Sequence, residues 1–413
     1  MKAKHFLAPL AGALLASVAA AASAEPLKIA VIETLSGPQA STGLIFKTAA
    51  KYGIDKINAG GGYGGEPIVL LEYDNQGGPV GAADKVKAAI ADGARFIVQG
   101  ASSAVSGQIT EDVRKYNIRN PGKEVIFLNV GGEALELTGA KCHFHHFRFN
   151  PNAQVRVKPM VLALKAAGTL GTRVYSMNQN YSWGIDMQGA IEEYAKLGGY
   201  EVVEKTLHDV NKIQDFSPYV AKVAAANADT VITGNWSNDL LLLMKAAHGA
   251  GLKARFATAF LDQPGNIANA GDVAVGNSVS HPFNAEVNAD TAAFAEDYKA
   301  KTGHYPVYTE PQTAFGIAML GEALKQAPQK DGKIDVNAIG KVLENVTFKG
   351  PMGEASMRAA DHQVQLPMVI SVVGPDAKFK VDGTSLGFKP IKVFTAAEAS
   401  SPVQDACKMN RPN

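Results

Sequence analysis

"LKIAVIETLSGPQASTGLIFKTAAKYGIDKINA", Leu27 to Ala59, contains one complete unit of the fold. It opens with a near-continuous apolar run, the mark of a strand buried on both faces, passes through a small polar loop, and ends as a helix. The unit then repeats: "PIVLLEYD" reads as a strand, "GAADKVKAAIADG" as a helix and "RFIVQG" as a strand. Further along, the rhythm restarts with "RVYSMNQN", "DMQGAIEEYAKLGG", "YEVVEKTLH", "FSPYVAKVAAAN", "DTVITGNW", "DLLLLMKAAHGAG" and "ARFATAFL". Strands alternating with helices imply parallel sheets covered on both faces, and at 413 residues the chain is too long for one core. The sequence therefore predicts an α/β protein of two doubly wound lobes, with ligands beyond the carboxyl ends of the strands.

Composition narrows the function. Forty basic residues stand against thirty-nine acidic ones, a net charge of +1, and no basic run is interleaved with aromatics. Nucleic acid is excluded as a partner on that ground. The N-terminus carries Lys2 and Lys4, then "FLAPLAGALLASVAAAA", then Ala22-Ser23-Ala24, which fits the small-residue rule for signal cleavage. Residues 1–24 read as a cleaved export signal and Glu25 as the first mature residue. The first cysteine is Cys142, so no lipid anchor is expected at the cleavage point. Nor does any later segment approach the roughly 18 apolar residues of a membrane helix.

The strand ends carry the chemistry: "LSGPQASTG", "DNQGG", "GASSAVSG", "VGGEA", "NQNYSWG", "GNWSND" and "FLDQPG". Backbone N–H groups and hydroxyls at helix starts suit a carboxylate, and aromatics suit an apolar or planar body. Such loops compose a capture site. Catalytic readings fail on spacing. A serine elbow would need glycine where Val105 stands, and no histidine and acid follow in recognisable order. Gly60, Gly62 and Gly65 match G-x-G-x-x-G but follow a helix and precede a strand, the reverse of a dinucleotide-binding turn. In "CHFHHFRF" the metal-competent residues are Cys142, His143, His145 and His146. Strand alternation puts only His143 and His145 on one side, too few for a metal. No catalytic residue, metal or cofactor is expected.

"KIAVIETLSGPQASTG", "DKINAGGGYGGEPIVLLEYDN", "KVKAAIADGARFIVQGASSAV", "LELTG" with Cys142 after it, and "FRFNPN" resemble the periplasmic solute-binding proteins of the branched-chain amino acid (leucine-binding, type I) ABC transporter family. The resemblance runs from about Leu27 to Gly350. It implies two Rossmann-like lobes joined by a three-stranded hinge, one of residues 25–147 plus 283–350, the other of 148–282 plus 351–413. It also implies a monomer in the periplasm that holds a small solute, an amino acid or an aromatic or amide-bearing relative, and presents it to an ABC transporter permease in the inner membrane. A sensor subunit signalling to a membrane receptor would use the same clamp. An enzyme is not implied.

Residue by residue, the resemblance places Ser103 at the serine that bonds the ligand carboxylate, with Ser102 beside it. Gly132 and Glu133 fall where the family has a small residue and a threonine contacting the amino acid backbone. Trp183 and Trp236 fall at aromatic walls, Tyr308 near a further apolar contact, and Asp262 is the nearest counterpart of the acid for the ligand ammonium. Glu133 departs from the leucine-type pattern, and Thr42 replaces an aromatic, so leucine itself is not fixed as the ligand. The two cysteines, Cys142 and Cys407, are an even count in an oxidising compartment, which predicts that they join and pin the tail near the hinge.

Overall fold

The computed structural model describes residues 25–412 except Pro38, so the expected export signal, residues 1–24, lies outside the described residues. The first sheet is begun by β1 (Lys28–Glu33), β2 (Val69–Asp74), β3 (Phe96–Gln99), β4 (Ile126–Asn129) and β5 (His146–Arg148). The second is begun by β6 (Arg173–Gln179), β7 (Glu201–His208), β8 (Thr230–Thr233), β9 (Arg255–Thr258) and β10 (Ser278–His281). Every side chain of β3 and β4 is buried, as their apolar runs require of strands covered on both faces, and so are the polar residues Gln99 and Asn129 that end them. Both sets pair in parallel, in the orders β2-β1-β3-β4-β5 and β7-β6-β8-β9-β10. The same winding in each lobe gives each its own topological switch point, between β1 and β3 and between β6 and β8. Ligands of such sheets lie beyond the carboxyl ends of the strands at those points.

Five later strands finish both sheets. β11 (Thr347–Gly350), β12 (Gly353–Arg358) and β13 (Gln363–Gln365) extend the first to eight strands, β13 pairing in parallel with β5. β14 (Met368–Gly374) and β15 (Gly387–Phe394) extend the second to seven, antiparallel to β10 and to each other. The last passage between sheets thus falls after Gln365, not at Gly350 as the resemblance implies. Residues 351–365 pair with the first sheet because β12 continues the hairpin begun by β11. The chain passes between the sheets three times, after β5, after β10 and after β13.

Two glycines set helices hard against the first strand of each lobe. A Cβ on Gly43 would stand 1.9 Å from the Thr34 carbonyl oxygen, and one on Gly184 would stand 1.8 Å from that of Gln179. Only hydrogen fits there, and this contact fixes where the loops after β1 and β6 release the chain toward the cleft. The tail beyond β15 returns to the first lobe. Cys407 is bonded to Cys142 with a Cα separation of 5.5 Å, as expected, and Arg411 Nε donates to Glu344 Oε1 at 2.5 Å. The neighbouring imidazoles are occupied: His143 Nε2 is 2.9 Å from Thr110 Oγ1 and His145 Nε2 is 2.7 Å from Asn337 Oδ1. Burial depresses the His143 imidazole to about 3, so that ring is neutral.

Candidate functional site

The two switch points face one another, and the loops leaving them line one small cavity. From the first lobe come Gly100, Ala101, Ser102 and Ser103 after β3, and Gly131 and Glu133 after β4; from the second come Tyr181 and Trp183 after β6, Trp236 after β8 and Phe260 after β9. Tyr308 closes the ring. The room open to the centre of a water molecule is only about 20 Å³, roughly that of one or two waters. The walls stand nearly in contact.

Ser103 opens the helix Ser103–Arg119, whose first N–H groups have no intrahelical acceptor. Its hydroxyl oxygen accepts from the backbone N–H of Glu133 and of Ala134, both at 3.1 Å. With both lone pairs taken, the hydroxyl proton is the group left to give, beside a helix N-terminus that favours anions. The loop is braced from behind by Glu33, which is fully buried and accepts from Gly100 N at 2.6 Å and Ala101 N at 3.3 Å. Burial raises the Glu33 carboxyl well above its ordinary range.

Glu133 does not present a bare charge to the cavity. Arg156, from the helix Ala153–Ala166 of the second lobe, donates from Nε to one carboxylate oxygen and from Nη2 to the other, each at 2.6 Å. Asn150 Nδ2 adds a third donor at 2.6 Å. The remaining guanidinium nitrogen donates to the carbonyls of Ala259, at 3.0 Å, and Ser280. Both side chains are almost fully buried, at 1% and 2% exposure. Burial pushes the Glu133 carboxyl up and Arg156 pulls it back; burial also opposes the Arg156 charge, but the carboxylate beside it holds the guanidinium above its ordinary value. Nearby, Leu135 N donates across the lobes to Asp186 Oδ2 at 2.7 Å.

An aromatic chain forms the apolar side. Trp183 meets Phe260 at 5.2 Å between ring centroids, Phe260 meets Tyr308 at 5.6 Å nearly edge-on, and Tyr308 meets Phe46 at 6.1 Å. Arg156 caps Phe260 from behind, its guanidinium carbon 4.7 Å from the ring centre. Trp183 is 1% exposed and donates from Nε1 to the Gly234 carbonyl at 2.8 Å, so it is core as much as cleft. Trp236 Nε1 donates to the Tyr181 hydroxyl at 2.9 Å. Tyr308 is held at φ 58°, a costly conformation for a bulky residue. Burial, with the Glu133 carboxylate nearby, raises its phenol well above the ordinary value.

Of the residues expected from sequence, Ser102, Ser103, Glu133, Trp183, Trp236 and Tyr308 converge on this cavity. Gly132 and Asp262 do not line it. Gly132 is folded onto Asn129, which accepts its N–H and donates to its carbonyl, and Gly131 takes the lining position. Asp262 sits behind the wall, with Oδ2 at 3.2 Å from His281 Nδ1 and Oδ1 buried without a hydrogen-bond partner among the described residues. Sequence reasoning passed over Tyr181 and Phe260, although each lies in a loop it marked. Arg156 carries no local signal, because its helix reads as ordinary core.

Trp183→Phe should keep the ring contact with Phe260 but leave the Gly234 carbonyl unpaired, lowering stability by about 1–3 kcal/mol. Chemical denaturation of the ligand-free protein measures it, and an unchanged midpoint would refute the role given to that hydrogen bond.

The periplasmic binding protein family matches residues 26–378. The Leu/Ile/Val-binding protein homolog 4 of Brucella abortus is 64% identical over 395 residues, 95% of each chain. A crystal structure of the leucine-, isoleucine-, valine-, threonine- and alanine-binding protein from Brucella ovis, in its closed conformation, is 64% identical, with a TM-score of 0.91 over 94% of this chain and 100% of that one. A solute binding protein of an ABC transporter from Rhodopseudomonas palustris BisB5, solved with 3,4-dihydroxy benzoic acid, is 21% identical with a TM-score of 0.75, over 90% and 98% of the two chains, and shares the fold alone. These relatives are binding proteins rather than enzymes. No helix among the described residues is long and apolar enough to cross a membrane. The chain belongs to the periplasmic binding proteins of the branched-chain amino acid type.

Proposed function

We propose that the protein acts in the periplasm as the monomeric solute-binding component of an ABC importer, closing its lobes on a small aliphatic amino acid and presenting it to the permease. The observation that carries this reading is Ser103, whose hydroxyl has both lone pairs occupied by backbone N–H groups and so gives its proton into the cleft. The ligand carboxylate docks there and at the start of the helix that Ser103 opens, with Ser102 alongside. Its side chain lies against Trp183, Phe260, Tyr308 and Trp236. Because Arg156 answers the Glu133 charge internally, Glu133 shapes the cavity instead of acting as a free counter-ion. The relatives at 64% identity, named as binding proteins for leucine, isoleucine and valine and, in one case, also threonine and alanine, fit a cavity with this apolar wall.

The test is calorimetry with leucine, isoleucine, valine, threonine, alanine and benzoate, together with mass spectrometry of any solute carried through gentle purification. Saturable binding of a branched aliphatic amino acid is expected. Preference for amine-free carboxylates would overturn the reading. Ser103→Ala should weaken that binding by about 1.5–3 kcal/mol, the value of a hydrogen bond to a charged group. It should also cost some stability, since two buried N–H groups lose their acceptor. An unchanged dissociation constant would remove Ser103 from the site.

A further inference from the structure

One side chain ties both lobes to the loop that carries Trp236. Gln263, in the second lobe beyond β9, donates from Nε2 to Thr42 Oγ1 at 2.7 Å, and Thr42 lies in the first lobe on the helix Ala40–Ala59. The oxygen of the same amide accepts from Ser237 N at 3.1 Å. Ser237 N–H can only donate, so the amide oxygen must face it and the amide nitrogen must face Thr42. Gln263 and Thr42 are 5% and 2% exposed, sealed between the lobes.

Ser237 needs that support. It adopts φ 58° and ψ −144°, a region nearly reserved for glycine, and it follows Trp236 directly. Trp236 is held at its carbonyl by Gln179 Nε2, at 3.4 Å, and at its indole nitrogen by Tyr181. Gln179 is in turn fixed by Asp239 at 2.7 Å. The Trp236–Ser237 peptide is thus held from two sides, by Gln179 at its carbonyl and by Gln263 at its N–H, and of these two side chains Gln263 is the one that reaches the first lobe, where its other end meets Thr42.

The geometry points to Gln263 as a positioning residue for Trp236 and to the Thr42–Gln263 contact as a latch made only on closure. Closing the lobes gives the amide its second partner and stiffens the carbonyl that holds Ser237, so the indole wall is set as the clamp shuts. Opening returns both groups to water. The latch thus acts on the closed state and not on encounter, and it rests on the proposed reading that the lobes close on an amino acid.

Thr42→Val removes the hydroxyl and keeps the shape; Thr42→Ser restores it. With L-leucine as probe in stopped-flow binding, Thr42→Val should raise the dissociation rate by about 2–10-fold, the effect of one lost hydrogen bond, with the association rate unchanged within twofold. Thr42→Ser should return it to the wild-type value. A valine variant with the wild-type dissociation rate, or one whose loss falls in the association rate, overturns the latch. A second readout needs no ligand: single-molecule energy transfer between dyes at the exposed positions Val80 and Val275. A closed population present in the wild type should shrink in Thr42→Val and recover in Thr42→Ser, and equal closed fractions in all three overturn the proposal. Should the wild type ignore leucine, the choice of ligand fails while this second readout still decides the latch.

Discussion

Arg156→Met is expected to destabilise the protein by about 3–5 kcal/mol, the penalty for leaving a buried charge without its partner. Methionine keeps most of the volume, so the loss reports electrostatics and not a cavity. Glu133 would keep only Asn150 as a donor, and the carbonyls of Ala259 and Ser280 would lose theirs. Because Glu133 belongs to the first lobe and Arg156 to the second, the damage should appear in binding as well as in unfolding. The double variant Glu133→Gln/Arg156→Met removes the stranded charge and should recover most of the stability, since exchanging both members of a buried pair for neutral groups is often close to neutral. Urea titration of the three proteins checks this. A single variant that loses less than about 1 kcal/mol, or a double variant no better than the single, would show that the pair is not the support assigned to it.

Removing the Cys142–Cys407 bridge has the next largest expected effect. The bond closes a loop of 265 residues, for which the chain-entropy account gives roughly 5 kcal/mol, against about 2–4 kcal/mol in typical measurements. Much of the native tail should stay in place, because Arg411 still reaches Glu344 and Arg358 Nη1 still donates to the Ser401 carbonyl at 2.6 Å. The loss should therefore arise in the freed unfolded chain. Because the unfolding entropy grows with length, a chain of 413 residues shifts by only about 1 °C per kcal/mol, so Cys142→Ser/Cys407→Ser should melt roughly 2–6 °C lower than the wild type, and reductant should move the wild type toward the variant. Identical melting curves, with thiol content confirmed by mass, would refute it.

How much of this was legible in the sequence depended on range. β1, β3 and β4 stand out because strands covered on both faces carry an apolar run through most of their length, broken only at their ends by Lys28, Glu33, Gln99 and Asn129. β12 and β13 escaped because "GEASMR" and "QVQ" carry no such run, and their place is decided by a hairpin and by pairing with β5, two hundred residues earlier in the chain by order of magnitude. The loops that carry Ser103 and Glu133 could be marked from their strand-end positions, and the family resemblance picked the two residues out within them. The working partner of Glu133 could not, since "AQVRVKPMVLALKA" reads as any packed helix and the pairing exists only once the lobes meet. Trp183 was found but read too simply: a ring on a cleft loop can also be a core residue, as the bond to Gly234 makes this one.

The late strands have a consequence for how the molecule comes into being. Both sheets stay unfinished until residues 347–394 arrive, because β11, β12 and β13 complete one and β14 and β15 the other. A chain emerging from its N-terminus therefore offers two open edges, at β5 and at β10, for most of its synthesis, and such edges are templates for wrong pairing. Neither lobe can mature ahead of the other by much. The clamp is assembled as a whole at the end, and a chain cut short before Thr347 would leave both halves ragged instead of yielding one good lobe.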